Sequence, residues 1–262
     1  MTDLPIHEVY AIRFAHHAAR RRSENFLGGD AHDGPMPFDY FVFVIKGPSG
    51  AVVVDTGFNA DVARTRGRQH LRCPSEGLAL LGIEPASIRD VVLTHLHYDH
   101  CGNQHLFPQA RFHLQTSEMA YATGPCMCHG MLRGGYDPED IAATVRKLFE
   151  GRVAYHTDEG MLAPGITLHR VGGHTEGQQV VRVKTRKGWL VLASDATHFF
   201  ENFERDIPFP WIYNVGATLE GFKRLRELAS DPRLVIPGHD PQIMERFPAA
   251  SEAAKGIVAR LD

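Results

Sequence analysis

The run Thr94-His95-Leu96-His97-Tyr98-Asp99-His100 constrains this chain more than any other stretch of it. It follows the short apolar segment Asp90-Val91-Val92-Leu93, which reads as a buried strand. Three imidazoles and a carboxylate are thus delivered together at a strand's C-terminal end. In extended backbone His95 and His97 project to one side and Leu96 to the other. Asp99 and His100 then need a tight turn, and Gly102 stands close behind. So many donors in so short a run would crowd a single tetrahedral ion, and two adjacent metals sharing them is the natural arrangement.

Two ions need further donors, expected at other strand ends. The candidates are His174 in Val171-Gly172-Gly173-His174-Thr175, Asp195 in Ala193-Ser194-Asp195-Ala196, and His239 in Ile236-Pro237-Gly238-His239-Asp240. Each follows a short apolar segment. Two sit beside a glycine, whose missing Cβ permits close approach of backbone to the site. Imidazole and carboxylate donors suit zinc, and iron, manganese and cobalt stay open on the same grounds.

Elsewhere the pattern predicts strands at 40–45, 51–54, 111–114, 166–170, 179–184, 189–194 and 234–236. Helices are predicted at 75–81, 117–121, about 138–149 after the Asp137 cap, about 218–229, and 249–261 at the C-terminus. Strands in runs with helices between them point to two sheets with helices outside. No repeat or linker interrupts the chain, so a single domain over residues 1–262 is expected.

The remaining features exclude classes. Net charge is -3 and the pI about 6.6, so no basic footprint for nucleic acid is expected. Arg20-Arg21-Arg22 reads as a solvated loop. No apolar run has the length of a membrane span. The N-terminus lacks the basic-then-apolar order of a secretory signal, so a cytoplasmic location is expected. Four cysteines (Cys73, Cys101, Cys126, Cys128) make no disulfide scaffold. Cys126-Met127-Cys128-His129 has too few well-spaced ligands for a metal and reads as a loop with free thiols.

The order HxHxDH followed by a distant His, Asp and His resembles the hallmark of the metallo-β-lactamase-fold superfamily. The likeness runs from Asp55, in Val54-Asp55-Thr56-Gly57, to His239. It implies an α/β fold, a four-layer αββα sandwich with two metals, zinc by preference, at one edge. By motif, His95, His97 and His174 would hold one ion and Asp99, His100 and His239 the other. Asp195 would bridge them and Asp55 would orient a ligand. His97 stands where a diiron flavoprotein of the superfamily carries Glu, which argues against redox chemistry.

Within the superfamily, Ser194–Glu204, Leu219–Leu225 and Pro237–Pro241 resemble the N-acyl homoserine lactonase-like branch. That branch implies opening of a lactone ring by a metal-bridging hydroxide, with Asp99 passing the proton to the leaving alkoxide. The substrate would be an N-acyl homoserine lactone or a related small lactone. Another small ester, cyclic amide or thioester fits the same site, and a non-catalytic metal-dependent binding protein is the reading from another class. Lactonase-like relatives place a tyrosine three residues after the bridging Asp to polarise the carbonyl. This chain has His198 there, and a neutral imidazole can donate one such hydrogen bond. Phe26-Leu27, Met36-Pro37-Phe38 and Ile207–Tyr213 are expected near the substrate. Dimers are common among those relatives, so a homodimer is an expectation as well.

Overall fold

The computed structural model describes residues 4–262. Strands β1 (Glu8–His17), β2 (Phe38–Gly47), β3 (Gly50–Val54), β4 (Gln69–His70), β5 (Asp90–Val92), β6 (Arg111–Gln115) and β7 (Val153–His156) lie in one sheet. Strands β8 (Glu159–Ala163), β9 (Ile166–Arg170), β10 (Gln179–Thr185), β11 (Gly188–Ser194) and β12 (Val235–Pro237) form a second, and β13 (Val258–Arg260) returns to the first. The first sheet runs β13-β1-β2-β3-β5-β6-β7, with β4 paired to β1; the second runs β12-β11-β10-β9-β8.

Side-chain alternation explains why the sheets stack. On β2, Phe41, Phe43 and Ile45 face one way and Tyr40, Val42 and Val44 the other. The first set packs against Leu168, Val181, Val183, Leu190 and Leu192 of the second sheet, making an interior between sheets. The second set meets Leu78 of the helix Pro74–Leu80 and Tyr121 of the helix Thr116–Ala122. On the far side, Val180, Val191 and Val235 pack against Phe222, Leu225 and Leu228 of the helix Val215–Leu228. Helix, sheet, sheet, helix is the four-layer αββα order. Each fully buried Leu, Ile or Phe in these layers contributes roughly 1.5–3 kcal/mol.

Three expectations need correction. The C-terminal stretch is not a helix. Gly256 sits at φ +72°, a 3-10 turn covers only Glu252–Ala254, and Val258–Arg260 pairs antiparallel with Tyr10–Ile12. Helix-forming alanines lose here to the β-branched and apolar residues after the glycine, which complete the sheet edge. The first core strand is not Tyr40–Ile45 but Glu8–His17, whose Val9 and Ala11 face the inter-sheet core and Tyr10, Ile12 and Phe14 the outer one. Nor is Arg20–Arg22 a solvated loop. Arg22 bridges Asp30 at 2.9 Å and Glu201 at 2.7 Å, and Arg20 is half-buried over the Phe38 ring. Strands β7 and β8 had no clear alternation to mark them.

All four cysteines are free, with Cys126 and Cys128 in a short 3-10 turn. No helix among the described residues is long and apolar enough to cross a membrane.

The helix Pro138–Phe149 opens at the Asp137 cap, as the sequence predicts, but holds one poorly satisfied acid. Asp140 Oδ2 is buried without a hydrogen-bond partner, and burial, helped by Asp137 and opposed by Arg66, pushes this carboxyl up to about 7. An acid with a raised folded-state pKa binds its proton more tightly when folded, so stability falls as pH rises from about 4 to about 7. Asp140→Asn should therefore leave stability near pH 4 unchanged and raise it at pH 8. The gain is about 1 kcal/mol after discounting for solvent and for a weaker helix N-terminus. Urea midpoints at the two pH values measure this, and an equal change at both would refute it.

Candidate metal centre

Every donor named from sequence follows the C-terminal end of a strand: Asp55 after β3, the 95–100 run after β5, His174 after β9, Asp195 after β11 and His239 after β12. The sandwich places those five ends at one rim. Asp55 and Ser194 both hold left-handed backbone, φ +64° and +46°, where the chain turns off β3 and β11. Such strain in non-glycine residues persists only where the surroundings enforce it. Gly238 is needed for contact, since a Cβ there would lie 2.6 Å from Asp195 Oδ1. Gly173, at φ +94°, would likewise drive a Cβ to 2.4 Å from Thr218 Oγ1.

The 95–100 run folds much as its pattern predicts. His97 caps a single helical turn, Tyr98–Cys101, that brings Asp99 and His100 back beside His95. Leu96 is fully buried on the opposite side, and its N–H donates to Glu118 Oε1 at 2.9 Å.

Donor atoms converge in three-residue sets, each within 4.8 Å: His95, His97 and His174; Asp99, His100 and His239; and His95, His100 and Asp195. Neighbours fix the imidazole tautomers. His239 Nδ1 donates to the Asp39 carbonyl at 2.8 Å, His174 Nδ1 to the Trp211 carbonyl at 2.5 Å, and His100 Nδ1 to Asp55 Oδ2 at 2.7 Å. A carbonyl only accepts, so at His239 and His174 the proton sits on Nδ1 and the Nε2 lone pair points inward. Nε2 of His95, His100 and His239 is buried with no hydrogen-bond partner, as is Asp195 Oδ1. Orphaned lone pairs in a closed site are costly, and a divalent cation satisfies all of them at once.

Asp195 divides its two oxygens. Oδ2 lies 3.4 Å from His174 Nε2 and 3.9 Å from His95 Nε2, while Oδ1 lies 2.9 Å from His239 Nε2 and 3.4 Å from His100 Nε2. Asp99 Oδ2 faces the second group alone, 3.6 Å from His100 and 3.7 Å from His239.

Electrostatics point the same way. Burial drives His95, His97 and His174 well towards the neutral form that binds metal. Burial pushes Asp99 up, yet His100 and His239 outweigh it and hold the carboxyl below its usual range. His100 is raised despite its burial because Asp195, Asp99 and Asp55 surround it. No Lys or Arg among the described residues pairs with Asp55, Asp99 or Asp195 within 4.0 Å, so three buried carboxylates share one small volume without a fixed cation. The donor set fits a pair of divalent ions.

Asp55 also accepts from Thr94 N at 2.8 Å and Thr94 Oγ1 at 2.9 Å, tying the end of β3 to the histidine run. His198 lies against this centre, 3.0 Å from Asp195 Oδ2 through Nε2 and stacked on Phe209 at 3.3 Å. Burial pushes its imidazole down to about 3, against the pull of Asp195.

Sequence reasoning missed Glu118. This fully buried acid accepts from Leu96 N, Tyr136 Oη, Thr175 Oγ1 and Gly177 N, at 2.9, 3.0, 2.6 and 3.2 Å. It clamps the His95–His97 segment to the His174 loop. Burial raises its pKa while those donors pull it back. Lone acids in short helices carry no local signature, so only the assembled fold exposes this one. Of the segments expected near the substrate, Phe38, stacked on His239 at 3.9 Å, and Trp211 line the cavity beside the centre; Phe26 is buried in the core.

Residues 36–239 match the family described as the Metallo-beta-lactamase superfamily. The chain belongs to that superfamily. It is a metal-dependent hydrolase by fold and donor set. Among known proteins it is 29% identical to N-acyl homoserine lactonase AttM of Agrobacterium fabrum, over 86% of this chain and 89% of that one. An N-acyl homoserine lactonase of Bacillus cereus is 30% identical over 62% of this chain and 60% of its own length. A solved quorum-quenching N-acyl homoserine lactone lactonase superposes with a TM-score of 0.77 at 22% identity, covering 94% of this chain and 98% of that one. A dizinc quorum-quenching lactonase, AidC, superposes with a TM-score of 0.71 at 16% identity, covering 91% and 89%.

Proposed function

We propose that this chain is a dinuclear zinc lactonase that opens the cyclic ester of a small lactone, with N-acyl homoserine lactones as the first class to test. The observation that carries the reading is the split carboxylate of Asp195, one oxygen to each histidine group. In this assignment His95, His97 and His174 would hold one ion and Asp99, His100 and His239 the other, with one oxygen of Asp195 available to each. The lactonase relatives support the substrate class.

When bound, the ions supply water activation near neutral pH and Lewis acidity towards a carbonyl. The chain's own residues do the rest. Asp99, which lines the cavity, is the acid–base group: it takes a proton from the attacking water as that oxygen bonds to the carbonyl carbon, and passes it to the ring oxygen as the acyl C–O bond breaks, giving a hydroxy acid. His198 takes the tyrosine's place, but its single N–H is committed to Asp195 Oδ2. The role this contact supports is positioning of the bridging carboxylate, and donation to a substrate carbonyl requires the imidazole to release Asp195.

Chelation followed by gel filtration should abolish hydrolysis of a panel of acyl homoserine, aliphatic and aromatic lactones. Two equivalents of zinc per chain should restore it and raise the melting temperature. Full turnover by metal-free protein would overturn the reading, and so would zinc-loaded protein that opens no lactone of the panel.

A further inference from the structure

Three arginines line the cavity of about 200 Å³ beside the metal centre. We propose that Arg20, Arg66 and Arg68 form an anion-binding subsite, and that the preferred substrate is a small lactone whose ring substituent carries a carboxylate. The inference rests on the lactonase reading above and adds the substrate's charge.

All three guanidinium groups are held by neutral partners. Arg20 donates through Nε to Asn25 Oδ1 and through Nη2 to the Glu24 carbonyl at 3.1 Å. Arg66 donates to the carbonyls of Gly134 and Tyr136 at 3.0 and 3.3 Å. Arg68 donates to Tyr98 Oη and to His17 Nε2, both at 3.4 Å. Among the described residues none of the three has a carboxylate within 4.0 Å. Their neighbours in sequence are different: Arg21 pairs with Asp33, and Arg22 with Asp30 and Glu201. Surface arginines in this chain usually find an acid, and these do not.

The lining leaves the charge uncompensated. Apart from the donors of the metal centre, Glu24 is its one acid, and a Glu24 oxygen already accepts from Arg21 N at 2.8 Å. His17 contributes no charge, since burial, with Arg68 and Arg20, pushes it down to about 4. Half-buried guanidinium groups oriented by neutral acceptors and facing a cavity are pre-organised for a carboxylate.

Position sets the tether. Arg20 lies 4.5 Å over Phe38, whose other neighbour is the His239 ring at 3.9 Å. Arg66 lies 3.8 Å over Tyr98, the residue before Asp99. One aromatic ring therefore separates each guanidinium from the metal donors. A carboxylate held there and a scissile carbonyl at the metals belong to one small molecule, with few bonds between them.

The test compares 5-oxotetrahydrofuran-2-carboxylate with its neutral isostere, the 2-carboxamide, on zinc-loaded enzyme, each rate normalised to hydroxide-catalysed opening. The acid should be preferred in kcat/KM by about tenfold or more at low salt, and the preference should shrink at high ionic strength. Arg68→Gln and Arg20→Gln should each reduce the ratio at least about fivefold, while Arg68→Lys keeps most of it. Glutarate binding, followed by calorimetry, should weaken in step in the same variants. Equal use of both lactones, or a ratio that neither glutamine variant moves, overturns the subsite and leaves the lactonase reading standing. If neither lactone is opened, calorimetry decides: glutarate binding insensitive to Arg68 and Arg20 overturns the subsite, and the lactonase reading stands or falls on the wider panel.

Discussion

Asp195→Ala is expected to lower kcat/KM for every lactone the enzyme opens by at least about 100-fold, and to cut bound metal from two ions per chain to one or fewer. Loss of a mere outer partner of a metal ligand costs about 10–100-fold, and Asp195 is placed closer than that. Its oxygens approach four imidazole nitrogens, two from each histidine group, and it accepts from His198 as well. Without it, His100 and Asp99 still face His239, but no carboxylate is shared with His95 and His174. Metal analysis of the purified variant, with turnover measured on the same sample, separates the two losses. A variant that keeps two tightly bound ions and wild-type turnover would refute the bridging role.

The second large effect concerns stability. Glu118→Ala deletes the acceptor for two backbone amides and two hydroxyls, all brought to one buried carboxylate. A buried donor left unsatisfied costs about 1–3 kcal/mol, and a charged acceptor makes its bonds stronger than average. Water entering the gap recovers part of this, so a loss of at least about 3 kcal/mol is expected from chemical denaturation of the zinc-loaded protein. Glu118→Gln, which keeps the shape but turns an NH2 towards two donors, should fall between. Gly177 reinforces the point: a Cβ there would lie 2.2 Å from Glu118 N, so loop and helix are in backbone contact. A loss under about 1 kcal/mol in the alanine variant would mean the clamp contributes little.

What sequence could and could not reveal follows from how far each signal reaches along the chain. The 95–100 run was legible because its donors are contiguous, and His174, Asp195 and His239 because each follows an apolar strand. The central strands and the helix Pro138–Phe149 were legible through periodicity and capping. Glu118 was not, since its meaning lies in four donors from three distant segments. Arg20, Arg66 and Arg68 were not either: one sits in a run that reads as solvent-facing, and all three acquire their role only where loops meet over Phe38 and Tyr98. The C-terminal segment was misread because alanines and a lysine favour a helix locally, whereas the open edge of β1 rewards a strand.

The donors come from two different sheets. His95, His97, Asp99 and His100 hang from β5 of the first, and His174, Asp195 and His239 from β9, β11 and β12 of the second. An ion held among them is therefore a rivet through the sandwich, closing a loop of up to about half the chain. Its escape breaks bonds to donors of both layers, so the rate of metal exchange should rise as the sheets part at the rim. Conditions that loosen the apolar seam between Phe41, Phe43, Leu168 and Leu192 would then speed metal release before any strand unravels.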